Sequence, residues 1–214
     1  MILALHGQAV TYLLMAASII VSFYAFSQSQ GGRPDERFLF MPYQVSQGRN
    51  ISGMLLSQFS HGDAAHLIFN MLTLYFFGPV VESPPPDGLG PAGMLAVYAA
   101  SAVGSTLLTF AIHRSDPGYR ALGASGAITG VLFAAIVLDP GMAVFFSFVP
   151  VPIPAPIFAV AYIALSIFAA QRRVGNVGHE AHIGGAVTGF LLAGVMSAHG
   201  FGPLVAGFSR MLHR

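Results

Sequence analysis

The chain has no cysteine and no tryptophan among its 214 residues, and all nine of its positive charges are arginine, with no lysine. Without cysteine there is no disulfide, no thiolate nucleophile and no Cys-ligated metal. Charge of either sign is scarce, at 8% of residues, where a soluble domain carries about 25%. Together with 55% hydrophobic residues, this excludes a soluble monomer. The net charge of +1 provides no field for holding nucleic acid, so none is expected as a partner.

What the chain does have is long apolar runs. Residues 10–26, 64–81, 91–112, 122–138, 151–170 and 181–198 are free of Asp, Glu and Arg. Each is about 17–22 residues, the length at which a helix crosses roughly 30 Å of hydrocarbon. Lipid offers no partner for free backbone groups, and no run shows the period-2 alternation of a transmembrane barrel. The expectation is an all-α membrane protein, a six-transmembrane-helix bundle forming one polytopic domain over residues 1–214, with the lipid bilayer as its solvent.

Residues 1–8 hold no Arg, and no small-x-small pattern follows Phe26, so the first span is expected to stay in place rather than be cleaved as a signal. A long first loop, about 27–63, carries Arg33, Asp35, Glu36, Arg37 and Arg49. It also carries Phe38, Leu39, Phe40, Met41 and Tyr43, an apolar patch expected at the membrane interface. Pro84, Pro85 and Pro86 predict a rigid turn, and residues 172–179 a mobile one. Pro150, Pro152, Pro154 and Pro156 should break any helix before the fifth span. Arg33, Arg37, Arg49, Arg114, Arg120, Arg172 and Arg173 fall on one side of the six spans, with Arg210 and Arg214 on the other. The positive-inside rule places the first group in the cytoplasm.

Polar side chains inside spans carry the chemistry. His66 and Asn70 are spaced i,i+4 on one helical face, with His61 just before them; alone, they fit interhelical hydrogen bonding. The fourth span opens with Gly123-Ala124-Ser125-Gly126. Gly126 and Gly130 form a G-x-x-x-G stripe that Gly185 and Gly189 repeat in the sixth span, with packing expected to weaken one turn on at Ala193. If the stripes meet at one membrane depth, His182 comes within reach of Ser125. An imidazole beside a serine makes an activated nucleophile, because the ring accepts the hydroxyl proton during attack. Ser125 begins its helix, so its amide is free and the helix dipole favours an oxyanion, with His66 and Asn70 as further donors. No Asp or Glu lies within a span to orient His182, so the site would be a dyad.

These residues resemble the rhomboid intramembrane serine proteases. The matching motifs are His61-x-x-x-x-His66-x-x-x-Asn70, Gly123-x-Ser125-Gly126, and Ala181-His182-x-x-Gly185-x-x-x-Gly189, with Phe77-Gly78-Pro79-Val80-Val81-Glu82 closing the second span. The resemblance covers about residues 53–194. It implies a rhomboid-type six-helix fold with Ser125 as nucleophile, His182 as general base, and His66, Asn70 and the Ser125 amide as the oxyanion hole. Gly123, Gly126, Gly185 and Gly189 would shape the site. It also implies single-span transmembrane proteins as substrates, with no cofactor and no metal. The chain looks close to the minimal six-span core, without a seventh span or a sizeable soluble domain. Two departures stand out: many relatives have a tyrosine where this chain has Thr129, and a Trp-Arg pair in the first loop that is absent here. Family topology keeps both ends in the cytoplasm and opens the site outward, with a cell inner membrane as the expected location, against the Arg count.

Two other readings compete. His61, His66, His179, His182 and Glu180 suggest a metal site, but His179-Glu180-Ala181-His182 spaces its histidines i,i+3 where H-E-x-x-H needs i,i+4; chelator sensitivity would discriminate. The alternative function is a non-catalytic rhomboid-like protein that binds membrane helices, separable by a serine-directed reagent. His6, His113, His199 and His213 lie near span ends or a terminus and are expected to be interfacial or solvated. Tyr98 and Tyr162 are expected to be packing residues, and Phe145, Phe146 and Phe148 to touch lipid or cover the core.

Overall fold

The computed structural model describes residues 8–29, 33–145, 151–172 and 178–212. His6, Phe146, Phe148, Pro150, Arg173, His213 and Arg214 lie outside them, as do residues 173–177 of the connection expected to be mobile and the side chain of Arg210. Helix α1 (Ala9–Gln28) is followed by a 3-10 turn (Glu36–Phe38) and two short helices, α2 (Pro42–Ser46) and α3 (Ile51–Leu56). Then come α4 (Ala64–Glu82), α5 (Gly90–His113) and α6 (Ser125–Leu138). Strands β1 (Ala143–Phe145) and β2 (Pro152–Pro154) pair antiparallel with Val144 opposite Ile153, and α7 (Ala155–Arg172), α8 (His179–Met196) and α9 (Gly202–Leu212) complete the chain.

Among the described residues, α1, α4, α5 and α7 are long and apolar enough to cross a membrane. The protein is therefore a mostly helical, multi-pass membrane protein. Helix α6 is apolar but only 14 residues long. Helix α8 has 18 residues but starts with His179, Glu180 and His182 in its first turn.

Helix α6 is the centre of the bundle: every residue from Gly126 to Val137 is buried. At 1.5 Å per residue it measures about 21 Å, too short for roughly 30 Å of hydrocarbon. Exposed Asp139 marks the surface at its far end. Its first residue, Ser125, is half-buried at the opposite end.

Small residues set the spacing around it. A Cβ on Gly185 would run into the carbonyl of Gly126, and one on Gly189 into that of Gly130, so α6 and α8 touch backbone to backbone along both glycine stripes. Gly184, which belongs to neither stripe, brings α5 equally close to α8: its Cβ would stand 2.6 Å from the Gly104 carbonyl oxygen. Elsewhere a buried carboxylate ties two helices: Glu82 accepts from the backbone N–H of Val10 and Thr11, both at 2.8 Å, and from Thr11 Oγ1 at 2.6 Å. These are among the amides that the start of α1 cannot satisfy within its own helix.

Three expectations need correction. The first-loop patch does not offer these side chains to lipid: Phe38, Leu39, Phe40 and Met41 are buried in the protein. Phe40 and Ala121 exchange backbone hydrogen bonds at 2.8 and 3.0 Å, and Ser60 Oγ donates to Phe38 O at 2.9 Å, so the loop is pinned from two sides and turns its apolar side chains inward. Ala193 is fully buried, so packing on α8 does not weaken one turn beyond Gly189. The amphipathic helix α9 is an element beyond the six expected. It buries Leu204, and just before it Phe201 stacks on Phe190 at 5.1 Å, over Gly194.

Candidate active site

Ser125 is the first residue of α6, and His182 stands in the first turn of α8. The glycine contacts bring these two helix starts together, and His182 Nε2 lies 2.8 Å from Ser125 Oγ. This is hydrogen-bond distance for transferring a proton from hydroxyl to ring.

The backbone before α6 is shaped for this approach. Gly123 has φ +128°, a conformation that side chains disfavour, and its N–H donates to Ser57 O at 3.0 Å. A Cβ there would stand 2.8 Å from His66 Cε1 and 3.6 Å from Ser125 Oγ. The His66 imidazole and the Ser125 hydroxyl thus border the same small space, open because residue 123 is glycine. Both line a cavity of about 930 Å³ that also reaches Gln58, Tyr119 and His179.

Asn70 lies one turn beyond His66 on α4 and is almost buried. Its side chain is held by His61, whose Nε2 is 2.8 Å from Asn70 Nδ2. On the other side of the ring, His61 Nδ1 is 2.8 Å from Ser22 Oγ, which donates to Phe59 O at 3.1 Å. Because the serine hydrogen goes to that carbonyl, Nδ1 carries the ring hydrogen and donates, leaving Nε2 to accept from Asn70. One Asn70 amide hydrogen is thereby fixed and the second is left to point elsewhere.

Burial pushes the pKa of His61 down to about 4. Above its ordinary pKa of 6.5 the ring is neutral in both folded and unfolded chains, and contributes no pH dependence. As pH falls from 6.5 toward 4, the unfolded chain takes up a proton that the folded chain resists, so stability is lost, by about 3 kcal/mol at the full extent of the shift. The unfolding midpoint in detergent should fall across that window, with a flatter slope in His61→Gln; equal slopes would show that another group is responsible.

Three of the five residues of the competing metal reading are engaged in other bonds. His61 and His182 have both ring nitrogens in hydrogen bonds, while Glu180 Oε1 accepts from Tyr119 at 2.6 Å and lies 2.8 Å from His113 Nε2. Among the described residues, no group of three or more His, Cys, Asp or Glu side chains is placed to hold a metal ion. His113, at the end of α5, is therefore paired rather than freely solvated. It pairs with Glu180 and stacks on Tyr119 at 3.6 Å, closing one wall of the cavity. Burial and the adjacent Glu180 carboxylate push the Tyr119 hydroxyl pKa up, which keeps it a donor.

Tyr162 on α7, expected to be a packing residue, reaches the site instead. Its hydroxyl lies 3.1 Å from His182 Nδ1 and 3.3 Å from Thr129 Oγ1. The signal for it in the sequence is indirect: Thr129 occupies the position where many relatives have a tyrosine, and a tyrosine occurs in the span that faces it.

Fold and site together define a polytopic helical membrane protein with a serine–histidine pair at two adjoining helix starts. The Rhomboid domain family matches residues 48–199, and the chain belongs to the rhomboid family. It is 28% identical over 172 residues to RHOMBOID-like protein 12, mitochondrial, of Arabidopsis thaliana, covering 71% of this chain and 49% of that protein. To Rhomboid protein 1, mitochondrial, of Saccharomyces cerevisiae it is 32% identical, covering 63% of this chain and 39% of that one. To Rhomboid protease AarA of Providencia stuartii it is 28% identical, covering 89% and 73% respectively. The chain thus spans half or less of the length of the two mitochondrial relatives.

Proposed function

We propose that the protein is an intramembrane serine endopeptidase that cuts single-span transmembrane proteins. The observation that carries this reading is the 2.8 Å approach of His182 Nε2 to Ser125 Oγ at the start of a buried helix. Ser125 Oγ attacks the scissile carbonyl carbon as its proton passes to His182 Nε2. His182 returns that proton to the leaving amine, the peptide C–N bond breaks, and an acyl-enzyme forms; water then hydrolyses it, with His182 as base. The Ser125 amide, His66 and the second amide hydrogen of Asn70 stabilise the oxyanion. The name of the Providencia relative, a rhomboid protease, supports the activity at family level.

The same reading has six membrane crossings, with α8 and the enclosed helix α6 added to the four long apolar helices. The site then opens toward the extracytoplasmic side. The relatives' names are mostly mitochondrial and give no support to the cell inner membrane expected from the sequence.

A fluorophosphonate reacts with an activated serine by losing fluoride to form a phosphonyl ester. The folded protein should be labelled once, and Ser125→Ala not at all. Failure of the folded parent to react would overturn the reading and favour a non-catalytic, helix-binding protein. For the oxyanion assignment, Asn70→Ala should lower kcat by about 10²-fold with KM little changed. A rise in KM alone would move Asn70 from transition-state stabilisation to substrate docking.

A further inference from the structure

Ser125 and His182 by themselves do not hold the imidazole in the orientation and tautomer that general-base catalysis requires. A base that accepts at Nε2 must carry its hydrogen on Nδ1, and that hydrogen needs an acceptor. Asp or Glu usually fills this role, and losing the right tautomer in a Ser-His-Asp triad costs about 10⁴-fold. Here Glu180, on the same helix as His182, is committed to Tyr119 and His113. The atom beside His182 Nδ1 is the hydroxyl of Tyr162, at 3.1 Å.

We infer that Tyr162 is the positioning residue of the base, completing a Ser125–His182–Tyr162–Thr129 relay that joins three helices. This rests on the reading of Ser125 and His182 as nucleophile and base. His182 Nδ1–H donates to Tyr162 Oη, and the Tyr162 O–H in turn donates to Thr129 Oγ1, 3.3 Å away. The His182 Nδ1 and Tyr162 hydrogens then each have an acceptor, and Nε2 is left to take the Ser125 proton. The Tyr162 ring is itself fixed, edge-on to Phe133 at 5.8 Å and tilted on Phe158 at 5.7 Å. Being neutral, its hydroxyl orients the ring without placing a charge inside the membrane, where an ionised carboxylate is expensive. The arrangement also accounts for Thr129: a small hydroxyl one turn after the nucleophile leaves room for the Tyr162 ring and gives its O–H a partner.

Because Tyr162 belongs to α7, the base is aligned only while α7 is seated against α6 and α8. That seat is narrow. Phe158 and Ser166 face inward, whereas Val160, Leu165 and Phe168 are more than half exposed on the outer side.

The test uses full-length protein in detergent with a reporter transmembrane substrate, and measures kcat, KM, the fluorophosphonate labelling rate and the melting temperature. Tyr162→Phe removes one oxygen and keeps the ring. It should lower kcat and the labelling rate by about 10-fold to 10²-fold, the range for one hydrogen bond to a charged group, with KM and melting temperature close to the parent's. Thr129→Val should slow the reaction to a smaller extent, and Thr129→Ser should retain the parent rate. The double variant Tyr162→Phe with Thr129→Val should be no slower than Tyr162→Phe alone, because Thr129 acts only through the tyrosine. Parent-like kcat in Tyr162→Phe, or multiplied losses in the double variant, would overturn the inference while leaving the nucleophile intact. If the parent itself fails to label, the underlying reading of Ser125 has failed instead.

Discussion

Ser125→Ala should leave no measurable cleavage of a reporter transmembrane substrate, a loss of about 10⁶-fold in kcat, in a protein that folds as the parent does. The two halves of this expectation have separate grounds. In the proposed mechanism the hydroxyl is the attacking atom, and among the described residues Ser125 supplies the serine or threonine hydroxyl that is bonded to His182. Structurally, the substitution removes one oxygen at the first position of a helix whose packing is carried by Gly126 and Gly130 and the apolar residues after them. One hydrogen bond is lost, worth about 1 kcal/mol net, and alanine is well tolerated in a helix. The melting temperature should therefore change little. Cleavage surviving at even a hundredth of the parent rate in purified protein would remove Ser125 from the mechanism, since the remaining oxyanion donors cannot supply a nucleophile.

Gly185→Val should damage both the fold and the reaction. Glycine 185 bears no chemistry, yet a Cβ there would occupy the space of the Gly126 carbonyl, one residue after Ser125. The contact is with backbone, which cannot rotate aside, so α8 must move away from α6. A displacement of about 1 Å is enough to cost about 10²-fold in rate, and overpacking adds about 1–3 kcal/mol of destabilisation. Cleavage should fall by at least that factor while the detergent melting temperature drops. Gly189→Val, about 10 Å along the helix from His182 by helical rise, should show the same pairing of effects through the Gly130 carbonyl. The control belongs at Leu191, which is 52% exposed: Leu191→Val on the same helix should leave both quantities near the parent's. A Gly185→Val protein as stable and as active as the parent would mean that the two glycine stripes are not in contact.

Much of this site is legible in the amino-acid sequence, and the parts that are not have something in common. Ser125 and His182 are 57 residues apart, but each sits beside a G-x-x-x-G stripe, and two such stripes have a strong physical reason to meet. His66 and Asn70 share a helical face because they are one turn apart. Tyr162 has no comparable signal: it is an aromatic residue in an apolar span, and most such residues only pack. His61 is visible beside His66 but not as the residue that holds Asn70, because that role depends on Ser22 Oγ and the Phe59 carbonyl on its other side. The first-loop patch reads as a membrane-interface segment because a run of apolar residues does not specify whether protein or lipid will cover it.

Membrane residence, helical class, family and the pairing of Ser125 with His182 follow from the sequence alone, because run length, charge content and helical periodicity are local properties that lipid converts directly into structure. Only the tertiary structure decided that α6 stops at 14 residues, that the Tyr162 hydroxyl meets His182 Nδ1, and that Glu180 is occupied by Tyr119 and His113. Each of those outcomes depends on which faces of separate helices come together. That is set by close backbone contacts, whose consequences for a side chain 20 or 61 residues away have no period in the sequence.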